Sequence, residues 1–128
     1  MVNFYDLNKE TVNKEFEDDD YGNYVVGHKN ENSKFVPTYV GKGILKVRLN
    51  EHCDDCYNDD LFTYVKQSEK AAFKEECDDY HDYKPISEGG TLKNKYHPPV
   101  PKGEKCHRCG HTGSWIIYWY EYQQDHGY

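Results

Sequence analysis

Two strand-like runs separated by a short polar turn constrain the fold of this chain most. Residues 21–27 (YGNYVVG) and 35–41 (FVPTYVG) combine aromatic and β-branched side chains between glycines. The polar residues 30–33 (NENS) lie between the two runs, so the pattern predicts an antiparallel hairpin. Pro37 has no N–H to donate, which confines the first half of the second strand to an edge position or a loop. The glycines of residues 41–43 (GKG) predict the end of that strand.

The remainder of the pattern adds helices and one more strand. Apolar residues at helical spacing predict a helix over residues 44–51, and LFTYVK at 61–66 predicts a third strand. Ser68 is a suitable N-cap for a second helix over residues 69–83. The order β-β-α-β-α predicts a small α+β fold, with a three-stranded antiparallel sheet flanked by helices. A short helix near residues 11–16 precedes this core.

The chain has 128 residues, which suits one compact domain. We divide it into a peripheral N-terminal extension (1–20), the β-β-α-β-α core (21–86) and a third part (87–128). This last part comprises a basic linker, a cysteine knuckle and an aromatic strand over residues 115–122, packed on the core. The longest apolar run has six residues and the N-terminus resembles no signal peptide, so we expect no membrane partner and an intracellular, cytoplasmic location.

Charge is distributed unevenly along the chain. The net charge of −7 argues against a protein that coats nucleic acid indiscriminately. Residues 28–52 and 91–108 nevertheless carry net charges of +3 and +4. Basic segments on an acidic protein suit a site that binds an anion such as phosphate, and chance clustering on a solvated surface is the alternative.

The two helices present polar groups at unusual positions. Glu76 falls on or beside the apolar stripe of the second helix, where a carboxylate is costly unless it is paired, bound to metal or able to reach water. Arg48 and His52 are four residues apart and therefore share one side of the first helix. Lys42, just before that helix, can face the same phosphate, although a solvent-facing basic edge explains these residues equally well.

The hairpin brings two tyrosines into neighbouring strands. Tyr24 lies in the first strand and Tyr39 lies near the end of the second, so their phenols can lie close together. Tyrosine in strands most often serves packing, which is the alternative interpretation of this pair.

The order of these residues resembles the GIY-YIG nuclease domain over about residues 21–86. The residues that carry the resemblance are Gly22-Asn23-Tyr24, Tyr39-Val40-Gly41-Lys42-Gly43, Arg48-x-x-x-His52 and a helical Glu76 ahead of Tyr83-Lys84-Pro85. The resemblance implies hydrolysis of DNA phosphodiesters with one Mg²⁺ or Mn²⁺, held by Glu76. We prefer Glu76 to the adjacent Glu75 because it lies seven residues before Tyr83.

The resemblance also implies a role for each residue. Arg48 would neutralise charge on the phosphate in the transition state. Tyr39 would take the proton of the attacking water and Tyr24 would orient the reactants, with His52 as an alternative base. The residues expected to contact the substrate are Gly41, Lys42 and Lys46.

Two Cys-x-x-Cys pairs indicate a second site. Cys53 and Cys56 form one pair, while Cys106 and Cys109, followed by Gly110, resemble a zinc knuckle. Together they predict a tetrahedral Cys₄ zinc site that pins the C-terminal part to the first helix, with unrelated thiols as the alternative. The histidines that could replace a cysteine ligand are His81, His97, His107 and His111.

The sequence therefore predicts a metal-dependent DNA endonuclease. The alternatives are a zinc-stabilised nucleic-acid-binding module without catalysis and a tyrosine-rich protein-interaction domain. Target sequence, biological role and the choice between nicking and double-strand cleavage stay open. One site makes one cut, so cutting both strands would require a homodimer or successive nicks. A gene on a mobile element or phage would place the protein in the host cytoplasm.

Overall fold

A computed structural model describes residues 3–54, 61–94, 96–101 and 103–112 of the chain. It shows an α+β fold in which a four-stranded antiparallel sheet is flanked by helices, and the strand order is β1-β4-β2-β3. The elements are β1 (Tyr5–Asp6), α1 (Lys9–Glu15), β2 (Tyr21–Lys29), β3 (Phe35–Ile44), α2 (Leu45–Asp54), β4 (Leu61–Lys66) and α3 (Glu69–Tyr83), followed by a 3₁₀ turn at Ile86–Glu88.

The predicted hairpin is present as β2 and β3. β3 forms one edge of the sheet, and Pro37 lies opposite Gly27 where the register shifts, as expected for a residue without an N–H. The prediction that residues 41–43 end the strand was wrong. They stay paired with β2, and β3 continues to Ile44, because pairing satisfies the backbone groups that a glycine-rich segment would otherwise expose.

The third strand and the second long helix agree with the sequence pattern. β4 spans the predicted residues, and α3 begins after Ser68, whose hydroxyl accepts a hydrogen bond from the Ala71 N–H at 3.2 Å. The additional strand β1 pairs with the outer edge of β4. A strand of two residues has no periodicity to detect, so the sequence pattern could not reveal it.

Helices cover both faces of the sheet. Tyr24 and Val26 of β2 belong to a core cluster with residues of α1 and α2, whereas Val25 packs with Tyr80 of α3. Because successive side chains of a strand point to opposite faces, α1 and α2 cover one face and α3 covers the other. Any site that combines α2 with α3 must therefore form at an end of the sheet.

The first 20 residues are not peripheral, contrary to the sequence expectation. Leu7, Val12 and Phe16 are buried in the same cluster as Tyr24. Asn8 caps α1 by accepting a hydrogen bond from the Thr11 N–H at 2.8 Å. This segment therefore completes the core on the α2 face of the sheet.

The segment after α3 returns to the sheet edge. The Lys93 N–H donates to the Thr38 carbonyl at 2.6 Å, and the Asn94 side chain bonds both the N–H and the carbonyl of Val40. Val100 and Cys106 form a small core cluster with Phe73 and Cys77 of α3. The segment thus contacts β3 at one point and α3 at another.

Two expectations receive no test or only a partial one. The predicted aromatic strand at residues 115–122 lies outside the described residues. Within the described part of the chain, every helix is too short or too polar to cross a membrane.

Candidate active site and metal centre

Tyr24, Tyr39 and His52 form a group of rings between β2, β3 and α2. The Tyr24 Oη lies 3.0 Å from His52 Nε2, within hydrogen-bond distance. The His52 ring centroid lies 4.7 Å from that of Tyr39, and the two phenol rings stack with centroids 6.4 Å apart. The structure therefore brings together three side chains that the sequence marked as candidate catalytic residues.

Gly41 makes room for this group. It pairs directly with Tyr24 across the hairpin, and a Cβ at Gly41 would overlap the Tyr24 phenol ring and hydroxyl. The glycine of the motif is thus explained by the close approach of a buried side chain. The predicted contact of Gly41 with substrate stays a prediction.

Arg48 lies close to the Tyr24 hydroxyl. Its positive charge favours ionisation of the Tyr24 phenol, and its buried side chain also lies 3.6 Å from the Glu51 carboxylate. A guanidinium only donates hydrogen bonds, so beside Arg48 the Tyr24 hydroxyl is suited to donate its proton to His52 Nε2. We assign His52 the tautomer with its proton on Nδ1 on this basis.

Burial keeps Tyr24 in its neutral form. Complete burial raises the pKa of Tyr24 well above its ordinary value, and the opposing effect of the Arg48 guanidinium is smaller. A neutral phenol donates a hydrogen bond but takes up no proton from water. Tyr24 is therefore suited to hold His52 in position rather than to act as a base.

Glu76 pairs with Lys42 on the face of the sheet that α3 covers. Its carboxylate is buried and its Oε1 lies 3.4 Å from the Nζ of Lys42, which points from β3 toward α3. The charge of Glu76 also contributes to the raised pKa of Tyr24, which places the carboxylate within electrostatic reach of the phenol. Glu75, the neighbouring candidate, is only half-buried, so burial favours Glu76 as the residue with a function at this site.

Lys46 makes a different contact. Its Nζ lies 3.1 Å from the carboxylate of Asp18, whose side chain is exposed. Its predicted role in substrate binding stays a prediction, whereas Lys42 lies beside Glu76.

A second cluster lies near the C-terminal end of α3. The ligand atoms of His81, His97, Cys106 and Cys109 all lie within 4.8 Å of one another. Among the residues that the structure describes, no other group brings together three or more side chains that could bind a metal. A His₂Cys₂ set of this kind can hold one metal ion.

This cluster corrects the predicted Cys₄ set in the described residues. Cys53 lies in α2 and packs against the core cluster that contains Leu49. The Cys106 knuckle packs on α3, across the sheet from α2, which explains why histidines and not Cys53 complete the cluster. Cys56 lies outside the described residues.

His97 is oriented as a metal ligand. Its Nδ1 lies 2.8 Å from the Pro98 carbonyl, which only accepts, so Nδ1 carries the proton and Nε2 carries the lone pair. That Nε2 is buried and has no hydrogen-bond partner among the described residues. Burial also lowers the pKa of His97, which favours the neutral ring. A backbone carbonyl that sets the tautomer of a ligating histidine is typical of metal sites.

The knuckle presents its sulfurs through a tight turn. Gly110 donates to the Cys106 carbonyl at 2.7 Å and adopts a φ of 76°, which favours glycine. Burial of Cys106 opposes ionisation, but hydrogen bonds from the backbone of Cys109 and Arg108 outweigh it and lower the pKa of the thiol. His81 Nε2 lies 3.4 Å from the Cys106 sulfur. The thiolate that a metal requires is thus favoured.

Ion pairs fasten the knuckle to α3. Asp78 accepts from His107 at 2.7 Å and from Arg108 at 3.2 Å, and Arg108 also reaches Asp82 at 3.0 Å. The Cys77 thiol hydrogen-bonds Cys106. Since Cys77 directly follows Glu76, the metal cluster and the buried carboxylate are attached to the same helix.

The sequence analysis named His81 and His97 only as possible replacements for a cysteine ligand. The sequence signal that could have favoured His81 is its position four residues after Cys77, on the inward face of α3. No sequence signal singled out Asn94, because its role depends on the return of the chain to β3.

Comparisons with known proteins identify no relative from which a function could be inferred. No protein-family model, curated protein or solved structure matches this chain.

Proposed function

We propose that this protein is a metal-dependent endonuclease that hydrolyses DNA phosphodiester bonds. The proposal is supported by two phenols, an imidazole and a guanidinium that meet on the α2 face of β2 and β3, together with a buried Glu76–Lys42 pair on the α3 face whose negative charge acts on Tyr24. Phosphodiester hydrolysis requires groups of these kinds to bind the phosphate, to activate water and to stabilise the leaving oxygen.

The cations Arg48 and Lys42 bind the scissile phosphate in this proposal. Both side chains are largely buried, so their charges are less screened than those of surface lysines. A guanidinium forms two parallel hydrogen bonds to phosphate oxygens, and the bonds strengthen as negative charge develops. Without DNA, Arg48 lies near the carboxylate of Glu51 and Lys42 near that of Glu76. When DNA binds, both cations would neutralise the phosphate.

Tyr39 is our choice for the group that takes the proton of the attacking water. The Nε2 of His52 is engaged by Tyr24, and its Nδ1 carries a proton in the assigned tautomer. A nitrogen that already bears a proton takes no proton from water, and the same holds for a neutral phenol. Tyr39 would therefore act as the base in its phenolate form, which a neighbouring cation favours, and His52 is the alternative base. Tyr24 and His52 then act as positioning residues.

Glu76 would hold Mg²⁺ or Mn²⁺, which when bound polarises the phosphate and stabilises the leaving oxygen. The donor chemistry fits, since a carboxylate is a hard oxygen ligand and Mg²⁺ keeps several waters beside one or two carboxylates. Lys42 lies 3.4 Å from Oε1 of the same carboxylate, so ammonium and metal would share it.

Zn²⁺ is the metal we propose for the His₂Cys₂ cluster. Two thiolates and two imidazoles are a common tetrahedral ligand set for structural zinc. A filled site has no open position for catalysis, so its role is to hold the knuckle on α3. The same observation supports the second candidate function, a zinc-stabilised nucleic-acid-binding module without catalysis.

A plasmid-cleavage assay tests the proposal. Supercoiled DNA is incubated with the protein and Mg²⁺, with and without chelator. Nicking should require Mg²⁺ and fall at least about a hundredfold in Glu76→Gln and Arg48→Ala, the usual effect of losing an electrostatic catalytic group. Glu75→Gln is the matched control, since it removes the neighbouring half-buried carboxylate, and it should stay within about threefold of the wild type.

Each outcome selects one function. Full activity of a folded Glu76→Gln variant contradicts the proposal. Retarded DNA without cleavage selects the binding module, and neither binding nor cleavage favours a protein-interaction domain. Circular dichroism of each variant establishes that the fold is retained.

A further inference from the structure

A cavity of about 250 Å³ lies next to the candidate active site. It is a half-open cavity between the start of β2, the first turns of α3, and Pro101 and Glu104. The side chains that line it are Tyr21, Lys42, Glu69, Lys70, Phe73, Pro101 and Glu104.

Lys42 belongs to both the cavity and the active site. Its side chain lines the cavity, and its Nζ is 3.4 Å from the Glu76 carboxylate. A phosphate held by Lys42 would therefore have part of its own nucleotide, or of the adjacent one, at the cavity entrance. The cavity and the reaction site are contiguous.

The walls suit a planar, polar ring. Tyr21, Phe73 and Pro101 supply aromatic and apolar surface, and Glu69 and Glu104 supply acceptors at the rim. Aromatic walls bind any nucleobase by stacking, and carboxylates accept from exocyclic amino groups. The volume is below the roughly 300 Å³ at which sites for drug-sized ligands begin, so it suits a fragment as small as one base.

We infer that this cavity binds the base of a nucleotide adjacent to the scissile phosphate, and that the substrate is DNA with an unpaired nucleotide at that position. A base enters a cavity between a helix and a loop only after leaving the duplex stack. The cost of leaving is smallest for a base that is already unpaired. This inference rests on the proposed function and specifies its substrate class.

The test measures binding in chelator, so that cleavage does not interfere. The probes are two short duplexes that carry 2-aminopurine, one fully paired and one with the analogue as a single-nucleotide bulge. The wild type should bind the bulge about tenfold more tightly and change its fluorescence. Tyr21→Leu should lose most of that preference, since one base–aromatic stack accounts for roughly that factor. Tyr21→Phe should retain it, and Tyr83→Leu, at a half-exposed tyrosine near the end of α3, is the control.

A second measurement covers the case in which Tyr21→Leu does not fold. A bulged 5-iodouracil is photo-crosslinked to the wild-type protein and the adduct is mapped by mass spectrometry. An adduct on Tyr21 or Phe73 supports the inference, and an adduct confined to other parts of the chain overturns it.

Failure of this inference and failure of the proposed function give different results. Equal affinity for paired and bulged duplexes, or no binding to either, overturns the inference. If paired DNA is still cut in a Glu76-dependent reaction, the nuclease proposal stands without it. If the protein prefers the bulged duplex in a Tyr21-dependent manner but cleaves no DNA in Mg²⁺, the cavity is still a base-binding site and the nuclease proposal is wrong.

Discussion

The candidate active site and the metal centre share α3 but are held together differently. The active site is built from side chains of regular elements: Tyr24 is within hydrogen-bond distance of His52, and the charge of Arg48 acts on the same phenol. The metal centre joins His81 of α3 to three residues of the irregular segment after that helix. The comparison indicates that the fold alone organises the first site, whereas the second would depend on a metal ion, which its ligand set can hold.

The two sites should therefore respond differently to substitution. A change in the active site should reduce catalysis more than stability. A change in the metal centre should reduce stability first, because the buried Nε2 of His97 has no hydrogen-bond partner without an ion. Loss of the metal should thus have the larger effect on the melting temperature.

The strongest test replaces one cysteine at a time. Cys106→Ser should lose the bound zinc and lower the melting temperature by roughly 10 °C or more, because structural zinc contributes directly to folding free energy. Cys53→Ser should retain one equivalent of zinc, since Cys53 packs in the core on the α2 face. Elemental analysis and thermal unfolding measure the two quantities. Zinc loss in Cys53→Ser would restore the Cys₄ set and remove the contrast between the sites.

Tyr24→Phe examines the hydrogen bonds of the active site. The substitution leaves the Arg48 donor and His52 Nε2 without the hydroxyl that joins them. We expect the free energy of unfolding to fall by about 1–3 kcal/mol and plasmid cleavage to fall about tenfold or more. Urea unfolding and initial cleavage rates provide the measurements. Tyr96→Phe, at a tyrosine that is 74% exposed, should change both by little. A Tyr24→Phe variant that loses only stability would show that its hydroxyl has no part in catalysis.

The smallest effect concerns two adjacent carboxylates on α3. Burial, together with the charges of Glu75, Asp82 and Asp78, raises the pKa of Asp79 to about 7. The unfolded chain loses this proton near pH 4 and the folded chain near pH 7, so the stabilising contribution is complete below pH 4 and is lost as the pH rises through 7. Asp79→Asn should therefore be more stable than the wild type at pH 8, by about 1 kcal/mol, and nearly equal to it at pH 4.

Asp78→Asn is the matched comparison for Asp79→Asn. Burial opposes ionisation of Asp78, but hydrogen bonds from His107 and Arg108 outweigh it and lower its pKa. This substitution should destabilise the protein at pH 8, because it weakens the attachment of the knuckle to α3. Urea unfolding at the two pH values decides both cases, and the same sign for the two variants at pH 8 contradicts the prediction.

Much of the fold was predictable because its signals are local. The aromatic and β-branched residues of β2, the Ser68 cap and the bounds of β4 and α3 depend on residues near one another in the chain. The continuation of β3 through residues 41–43 and the burial of Leu7, Val12 and Phe16 were not predictable in this way. Both result from pairing and packing with distant residues, which outweigh local propensity.

The sequence by itself pointed to Tyr24, Tyr39, Arg48, His52 and Glu76 as candidate catalytic residues, because their order resembles a nuclease motif, and they lie on elements whose periodicity can be recognised. Tertiary structure alone decided which histidines join Cys106 and Cys109, and that the buried Glu76 lies beside Lys42. The physical reason is that a helix or strand repeats at fixed spacing, whereas the path of residues 84–111 is set by contacts with α3 and β3 that no local pattern encodes.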